Sequence, residues 1–346
     1  MTNDSKIFFK IGGLILLALI VAFVAARAKP WSDLAIARMF GPGPSAAAYS
    51  GANKEVNEEE PTHVSGFSRV YTFMSDTIDI ESEDNALIIP TITGPLTAQE
   101  YMVLDLHSGA ILDFKDIDKV VPIASLTKLV TAEVSRQLML PDKEITITDA
   151  MLAAYGSNGH FRRGETLSAS ELLNPLLFVS SNDASEALAQ GYEPNPDASR
   201  KDFIRAMNNW AHSIGAYRTD FYDPSVLSLY TVSTARDQAT ILEWIYKNDP
   251  RLIAVTHERF ATVRLHTWTN STHFMNLSNY EGGKDGYIPE AGQTAASLFA
   301  ANANTAASSS PARYLVVVLG SQNRDNDVLS LLKKAEGLQN KKAGGK

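Results

Sequence analysis

The chain has 346 residues, 45% of them hydrophobic, which is enough for one large or two modest domains with a real core. Its formal net charge of −8, with no basic face in evidence, argues against a nucleic-acid partner. There is no cysteine, so disulfides and thiolate metal sites are excluded; the seven histidines (63, 107, 160, 212, 257, 266 and 273) show neither H-E-x-x-H nor H-x-H spacing, and no metal or other cofactor is expected.

In chain order, Lys6 and Lys10 precede an apolar run, residues 11–26, that Arg27 ends. The run is slightly short of the roughly 17–25 residues of a spanning helix, but Ile7, Phe8 and Phe9 lengthen it if Lys10 snorkels. Residues 1–40 are therefore expected to hold a cytoplasmic tip and a single membrane anchor, in preference to a cleaved signal for which Ala26-Arg27-Ala28 offers a small–x–small site. On either reading the rest of the chain leaves the cytoplasm. Residues 41–66, opened by Gly41-Pro42-Gly43-Pro44 and closed by an acidic stretch, have no periodicity and read as a flexible spacer.

The folded part is expected over residues 67–338. Apolar runs at 101–106 and 110–114 flank His107-Ser108-Gly109, the pattern of a β-hairpin. Residues 124–138 read as a helix with Leu126, Leu129, Val130 and Val134 on one side. Ser168-Ala169-Ser170-Glu171 supplies cap-type residues for a helix over 167–179, and another helix spans 183–190. That leaves Ser180-Ser181-Asn182 in a tight link between two helices. Helices are predicted at 199–214 and 233–246 with a turn at 220–224 between them. Strands follow at 283–288, 294–301 and 314–320, then a helix at 327–338 and a basic, disordered tail at 339–346. Strands, a helical block and strands again suit an α/β fold, a central antiparallel sheet with helices packed on it.

Ser125-Leu126-Thr127-Lys128 carries the chemistry. A serine and a lysine three residues apart on a helix face each other, and a lysine amine of lowered pKa can take the hydroxyl proton, making a nucleophile without histidine. Alone the spacing means little: Ser330-Leu331-Leu332-Lys333 repeats it on an ordinary helix face, and Ser321-Gln322-Asn323 repeats the S-x-N pattern. Taken singly, Ser125 would be a helix cap, Lys128 a solvated lysine, and Ser180 and Asn182 loop caps. The order is what selects: S-x-x-K, then Ser180-Ser181-Asn182, then Lys284-Asp285-Gly286.

The flanks narrow the match. Pro122-Ile123-Ala124-Ser125-Leu126-Thr127-Lys128-Leu129-Val130-Thr131-Ala132, Ser180-Ser181-Asn182-Asp183-Ala184 and Gly282-Gly283-Lys284-Asp285-Gly286-Tyr287 resemble the three motifs of D-alanyl-D-alanine carboxypeptidases, the low-molecular-mass penicillin-binding proteins. The resemblance runs from about Tyr101 to about Leu332. It implies a β-lactamase/transpeptidase-like fold, a sheet part and an all-helical part with the site between them. The extra C-terminal β-domain of many members is not expected, since the roughly 60 residues after Lys284 are used up by two strands and a helix. It implies an exported serine peptidase, a D-alanyl-D-alanine carboxypeptidase or related DD-endopeptidase, that trims peptidoglycan stem peptides and is inhibited by β-lactams. The implied catalytic residues are Ser125 (nucleophile), Lys128 (base), Ser180 (proton relay to the leaving group) and Asn182 (holding Lys128 and the substrate amide). On the binding side, Lys284 would polarise Ser180 and attract the substrate carboxylate, with Asp285, Gly286 and Tyr287 beside it. The N–H groups of Ser125 and Tyr287 would form the oxyanion hole.

Asp285 departs from the pattern, standing where the family has a threonine that donates to the substrate's terminal carboxylate. An ionised aspartate only accepts hydrogen bonds, and two negative charges about 4 Å apart repel by about 4 kcal/mol at an effective dielectric of 20. Three outcomes are open: neutralisation of Asp285 by protonation or by Lys284, selection of a different ligand such as an amidated terminus, or a non-catalytic protein that only binds wall peptide. A β-lactamase is a further alternative, with Glu165 and Glu171 between the first two motifs but without a deacylating role in the pattern.

Overall fold

The computed structural model describes residues 89–156, 158–301 and 312–344. The chain divides into two units, Met1–Ile78 and Asp79–Lys346, and every described residue belongs to the second. The expected anchor, the spacer and the opening of the folded part lie outside the described residues.

The expected hairpin forms from β1 (Glu100–Asp105) and β2 (Ala110–Lys115). Asp105 ties its turn, accepting from the His107 N–H and the Ser108 hydroxyl. β3 (Val121–Pro122) leads into a 3₁₀ turn at Ala124–Leu126 and then α1 (Thr127–Leu138). Ser125 therefore sits just ahead of the α-helix rather than in its first turn. The reason is Ala124, whose φ of 50° is left-handed and incompatible with a regular helical start.

β4 (Glu144–Thr146), α2 (Asp149–Leu152) and β5 (Thr166–Ser168) come next, β4 pairing with β5. Leu167, read as helical from sequence, is in β5. α3 (Ala169–Phe178) begins only after Ser168, whose hydroxyl accepts from the Glu171 N–H while the Glu171 carboxylate accepts from the Ser168 N–H. α4 (Asn182–Gly191) follows a three-residue link, and α5 (Pro196–Ser213) starts from an Asn195 cap with proline in its first turn. β6 (Val232–Ser233) pairs with β3; α6 (Ala235–Asn248) and α7 (Pro250–Thr256) complete the helical block. A hairpin of β7 (Phe260–Val263) and β8 (His266–Thr269) precedes three nine-residue strands, β9 (Tyr280–Ile288), β10 (Gly292–Ala300) and β11 (Arg313–Ser321). α8 (Arg324–Gly344) closes the described chain. It runs well past the helix end expected at 338 and covers most of the tail read as disordered. Lys341, Lys342 and Ala343 are good helix formers, and cations suit a helix C-terminus.

The five long strands form one antiparallel sheet in the order β2-β1-β11-β10-β9. Alternation splits β11 between two cores. Leu315, Val317 and Leu319 join the core shared with α1, α3, α4, α5 and α6, while Tyr314, Val316 and Val318 join the core that Val328, Leu331, Leu332 and Ala335 of α8 cover. β9 is left as an edge of the sheet, and that edge meets the Ala124–Leu126 turn.

Candidate active site

Three segments converge: the turn that carries Ser125, the start of α4, and the edge strand β9. One helical turn after Ser125, Lys128 is fully buried, and its Nζ stands 3.0 Å from Ser125 Oγ and 2.7 Å from Asn182 Oδ1. Burial first, and the Lys284 cation second, push the Lys128 amine well below the usual lysine range, against weaker opposing pulls from Asp223 and Asp183. A neutral amine next to a serine hydroxyl is a general base in place.

Asn182 is aimed by the local sequence. Ser181 caps α4, its hydroxyl accepting from the Ala184 N–H and donating to Asp183, so Asn182 becomes the first helical residue. Its Nδ2 donates to the Tyr155 carbonyl at 2.5 Å and its backbone N–H to the Gly156 carbonyl at 3.3 Å. That fixes the amide so that its oxygen faces Lys128. Ser180, just before the cap, has a left-handed φ of 55°, and its Oγ is buried with no hydrogen-bond partner among the described residues. A buried hydroxyl left unpaired costs about 1–3 kcal/mol, and Ser180 Oγ is one of several such atoms among the described residues.

On β9, Gly286 lets the strand reach the nucleophile. A Cβ built there would lie 2.6 Å from the Ser125 nitrogen and 3.0 Å from the Ala124 Cβ. Thr294 of β10 donates to the Ile123 carbonyl at 3.2 Å, holding the turn against the sheet. Tyr287 is half exposed on the same strand. Three residues before Gly286, Gly283 has φ of 142°, and a Cβ there would stand 2.2 Å from the Ala296 carbonyl oxygen, so only glycine fits.

The buried Lys284 does not bond Ser180, contrary to the sequence expectation. Its Nζ donates to the Asp285 carbonyl at 2.7 Å and pairs with Asp285 Oδ1 at 3.3 Å. Asp285 Oδ2 pairs with Arg324 Nη2 at 3.2 Å, at the start of α8. Desolvation pushes the Asp285 carboxyl up, but Arg324 and then Lys284 outweigh it and bring it down to about 2. Asp285 is thus neutralised by two cations and not by protonation. Desolvation lowers the Lys284 amine, with Asp285 partly opposing.

The structure therefore brings Ser125, Lys128 and Asn182 into direct bonding, sets Gly286 against Ser125, and buries Lys284 and the Ser180 Oγ without joining them to each other. Sequence reasoning missed Arg324, 39 positions from its partner and outside every motif. It also missed the Tyr155 and Gly156 carbonyls that aim Asn182, since backbone acceptors leave no trace in residue identity. Glu165 and Glu171 carry structural bonds: Glu165 meets His266 at 2.6 Å, and Glu171 closes the cap of α3. Among the described residues no cluster of His, Cys, Asp or Glu could hold a metal ion, and no helix is long and apolar enough to cross a membrane.

A family profile described as D-alanyl-D-alanine carboxypeptidase matches residues 89–323. Over 208 residues the chain is 34% identical to the D-alanyl-D-alanine endopeptidase of Pseudomonas aeruginosa, covering 57% of this chain and 65% of that protein. Over 242 residues it is 29% identical to a D-alanyl-D-alanine carboxypeptidase of Haemophilus influenzae, covering 66% of this chain and 58% of that one. The chain thus spans less than two thirds of either relative's length. In fold, the structure is similar to the Streptomyces K15 DD-transpeptidase, with a TM-score of 0.64 at 23% identity, covering 71% of this chain and all of that one.

Proposed function

The chain belongs to the D-alanyl-D-alanine carboxypeptidase family, and from that premise we propose that it is a serine-type DD-peptidase acting on peptidoglycan stem peptides through an acyl-enzyme on Ser125. One observation carries the reading: a fully buried Lys128, its amine lowered well below the ordinary range, 3.0 Å from Ser125 Oγ and held by Asn182. Lys128 takes the hydroxyl proton as Oγ bonds to the carbonyl carbon of a D-alanine. The carbonyl electrons move onto oxygen, where the N–H groups of Ser125 and Tyr287 receive them. The leaving amine departs with a proton relayed through Ser180, whose unpaired hydroxyl is free for that task. Water then hydrolyses the ester, with Lys128 again as base. The leaving group is a terminal D-alanine in carboxypeptidase action or a cross-linked stem in endopeptidase action. β-Lactams acylate the same serine.

The catalytic unit is taken as residues 67–338, held outside the cytoplasm by the N-terminal apolar segment acting as a membrane anchor, with residues 41–66 as its tether. The full chain is expected to release D-alanine or cross-link products from isolated peptidoglycan fragments, and Ser125→Ala to release none. Equal product from both would refute the serine mechanism. A second reading, a binder of wall peptide without catalysis, draws on one observation: Asp285 holds Lys284, leaving Ser180 without its expected cation. In that case peptide binds and no product forms from either protein.

A further inference from the structure

The ion pairs around Asp285 point to the substrate class. Its carboxylate lies between Lys284 Nζ and Arg324 Nη2, at 3.3 and 3.2 Å. The three side chains are 2%, 15% and 13% exposed for Lys284, Arg324 and Asp285, so solvent screens them little. Arg324 Nε also meets Asp325 Oδ1 at 3.3 Å, and Asp325 Oδ2 in turn meets His273 Nδ1 at 2.6 Å. The local count is therefore two cations, Lys284 and Arg324, against two carboxylates, Asp285 and Asp325. Asp285, at the centre of these pairs, lies one residue along the edge strand from Gly286, where an added Cβ would stand 2.6 Å from the Ser125 nitrogen. An acid group delivered next to Ser125 would be a third anion for two cations already engaged.

We propose that Asp285 stands in for the leaving group's carboxylate, so that the Ser125 site takes peptides whose leaving amine neighbours a carboxamide, or no acid at all, in preference to peptides ending in a free acid. The proposal rests on the DD-peptidase reading and specifies its substrate. A carboxamide fits the arrangement because its N–H₂ can donate to an Asp285 oxygen and its C=O can accept from Lys284, with no new charge to compensate. A carboxylate has no N–H to donate to Asp285, and in accepting from Lys284 it would bring a further negative charge into competition with Asp285 for the two cations. The depressed Asp285 titration agrees, since the side chain stays ionised at any pH at which a peptide acid is ionised.

The test uses the full chain and two probes, N-acetylated L-Lys-D-Ala-D-Ala and the same peptide as its C-terminal carboxamide. Binding is read by calorimetry on Ser125→Ala, which removes turnover, and kcat/KM is read on the protein with Ser125 intact. The carboxamide is expected to bind and react about tenfold better or more. In combination with Asp285→Thr the preference should vanish or invert, and Asp285→Asn, closer in shape, guards against a folding defect. Preference for the acid with Asp285 in place, equal affinities, an unmoved ratio in both variants, or no binding of either probe overturns the proposal. Binding in the expected order without cleavage would instead refute the peptidase reading and leave the selectivity standing. Cleavage of both probes at equal rates would do the reverse.

Discussion

In the proposed mechanism Lys128 is the residue on which the chemistry turns, and its environment makes its titration measurable. Burial lowers its pKa most, and the Lys284 charge lowers it next. Acylation by a β-lactam should therefore rise with pH as one proton leaves Lys128, with a midpoint well below the ordinary lysine range. Lys284→Gln removes the second cause and should move that midpoint upward, whatever it does to the maximal rate. A midpoint that stays put would mean that another group sets the limb. Asp285 has the opposite sign. Its folded-state pKa is held at about 2 against an ordinary 3.8, so its contribution to stability is complete above about 3.8 and lost as pH falls towards 2. Asp285→Asn should thus melt lower than the parent at pH 7, with the gap closing in acid; a gap constant with pH would refute the ionised pair. At this scale the sequence named Ser125, Lys128 and Asn182, which the fold brings together, because the hydroxyl, amine and amide that meet there each belong to a recognisable side chain. Arg324 was invisible, since it meets its partner Asp285 only once α8 has folded onto the sheet.

Between elements, the decisive approach is that of β9 to the Ala124–Leu126 turn. Gly286→Ala would put a methyl 2.6 Å from the Ser125 nitrogen, so strand or turn must shift. Acylation should fall by about 10²-fold or more, the scale of losing one oxyanion donor, for an overpacking cost of about 1–3 kcal/mol. Normal labelling by Gly286→Ala would show that the Ser125 N–H takes no part. Long elements were readable from periodicity: the β1–β2 hairpin, α1, α5, β10 and β11 lie close to their expected places. The two- to four-residue strands β3 to β8 were not, because so short a segment shows neither period. The left-handed Ala124 and Ser180 were equally hidden. Neither is a glycine or asparagine, and tertiary contacts impose the conformation.

At the largest scale, the described residues form a sheet buried on both faces, the helical block on one side and α8 on the other. Strands, then helices, then strands foretold that architecture, but not the strand order, which places the last strand, β11, at the centre beside the first, β1. Leu331, 1% exposed in the α8 layer, lies in the core remote from Ser125. Leu331→Ala should cost about 2–5 kcal/mol of stability without changing β-lactam labelling per folded molecule. A change in labelling would mean that α8 positions the site through more than Arg324. The most direct measurement is incubation of the full chain with a fluorescent penicillin, read on a denaturing gel beside Ser125→Ala. The adduct is covalent, so it accumulates even if Asp285 weakens the encounter with the drug's carboxylate. The expected result is a labelled band in the unmutated protein and none in Ser125→Ala. A band that survives the substitution, or no band in either protein, would contradict acyl-enzyme chemistry at Ser125.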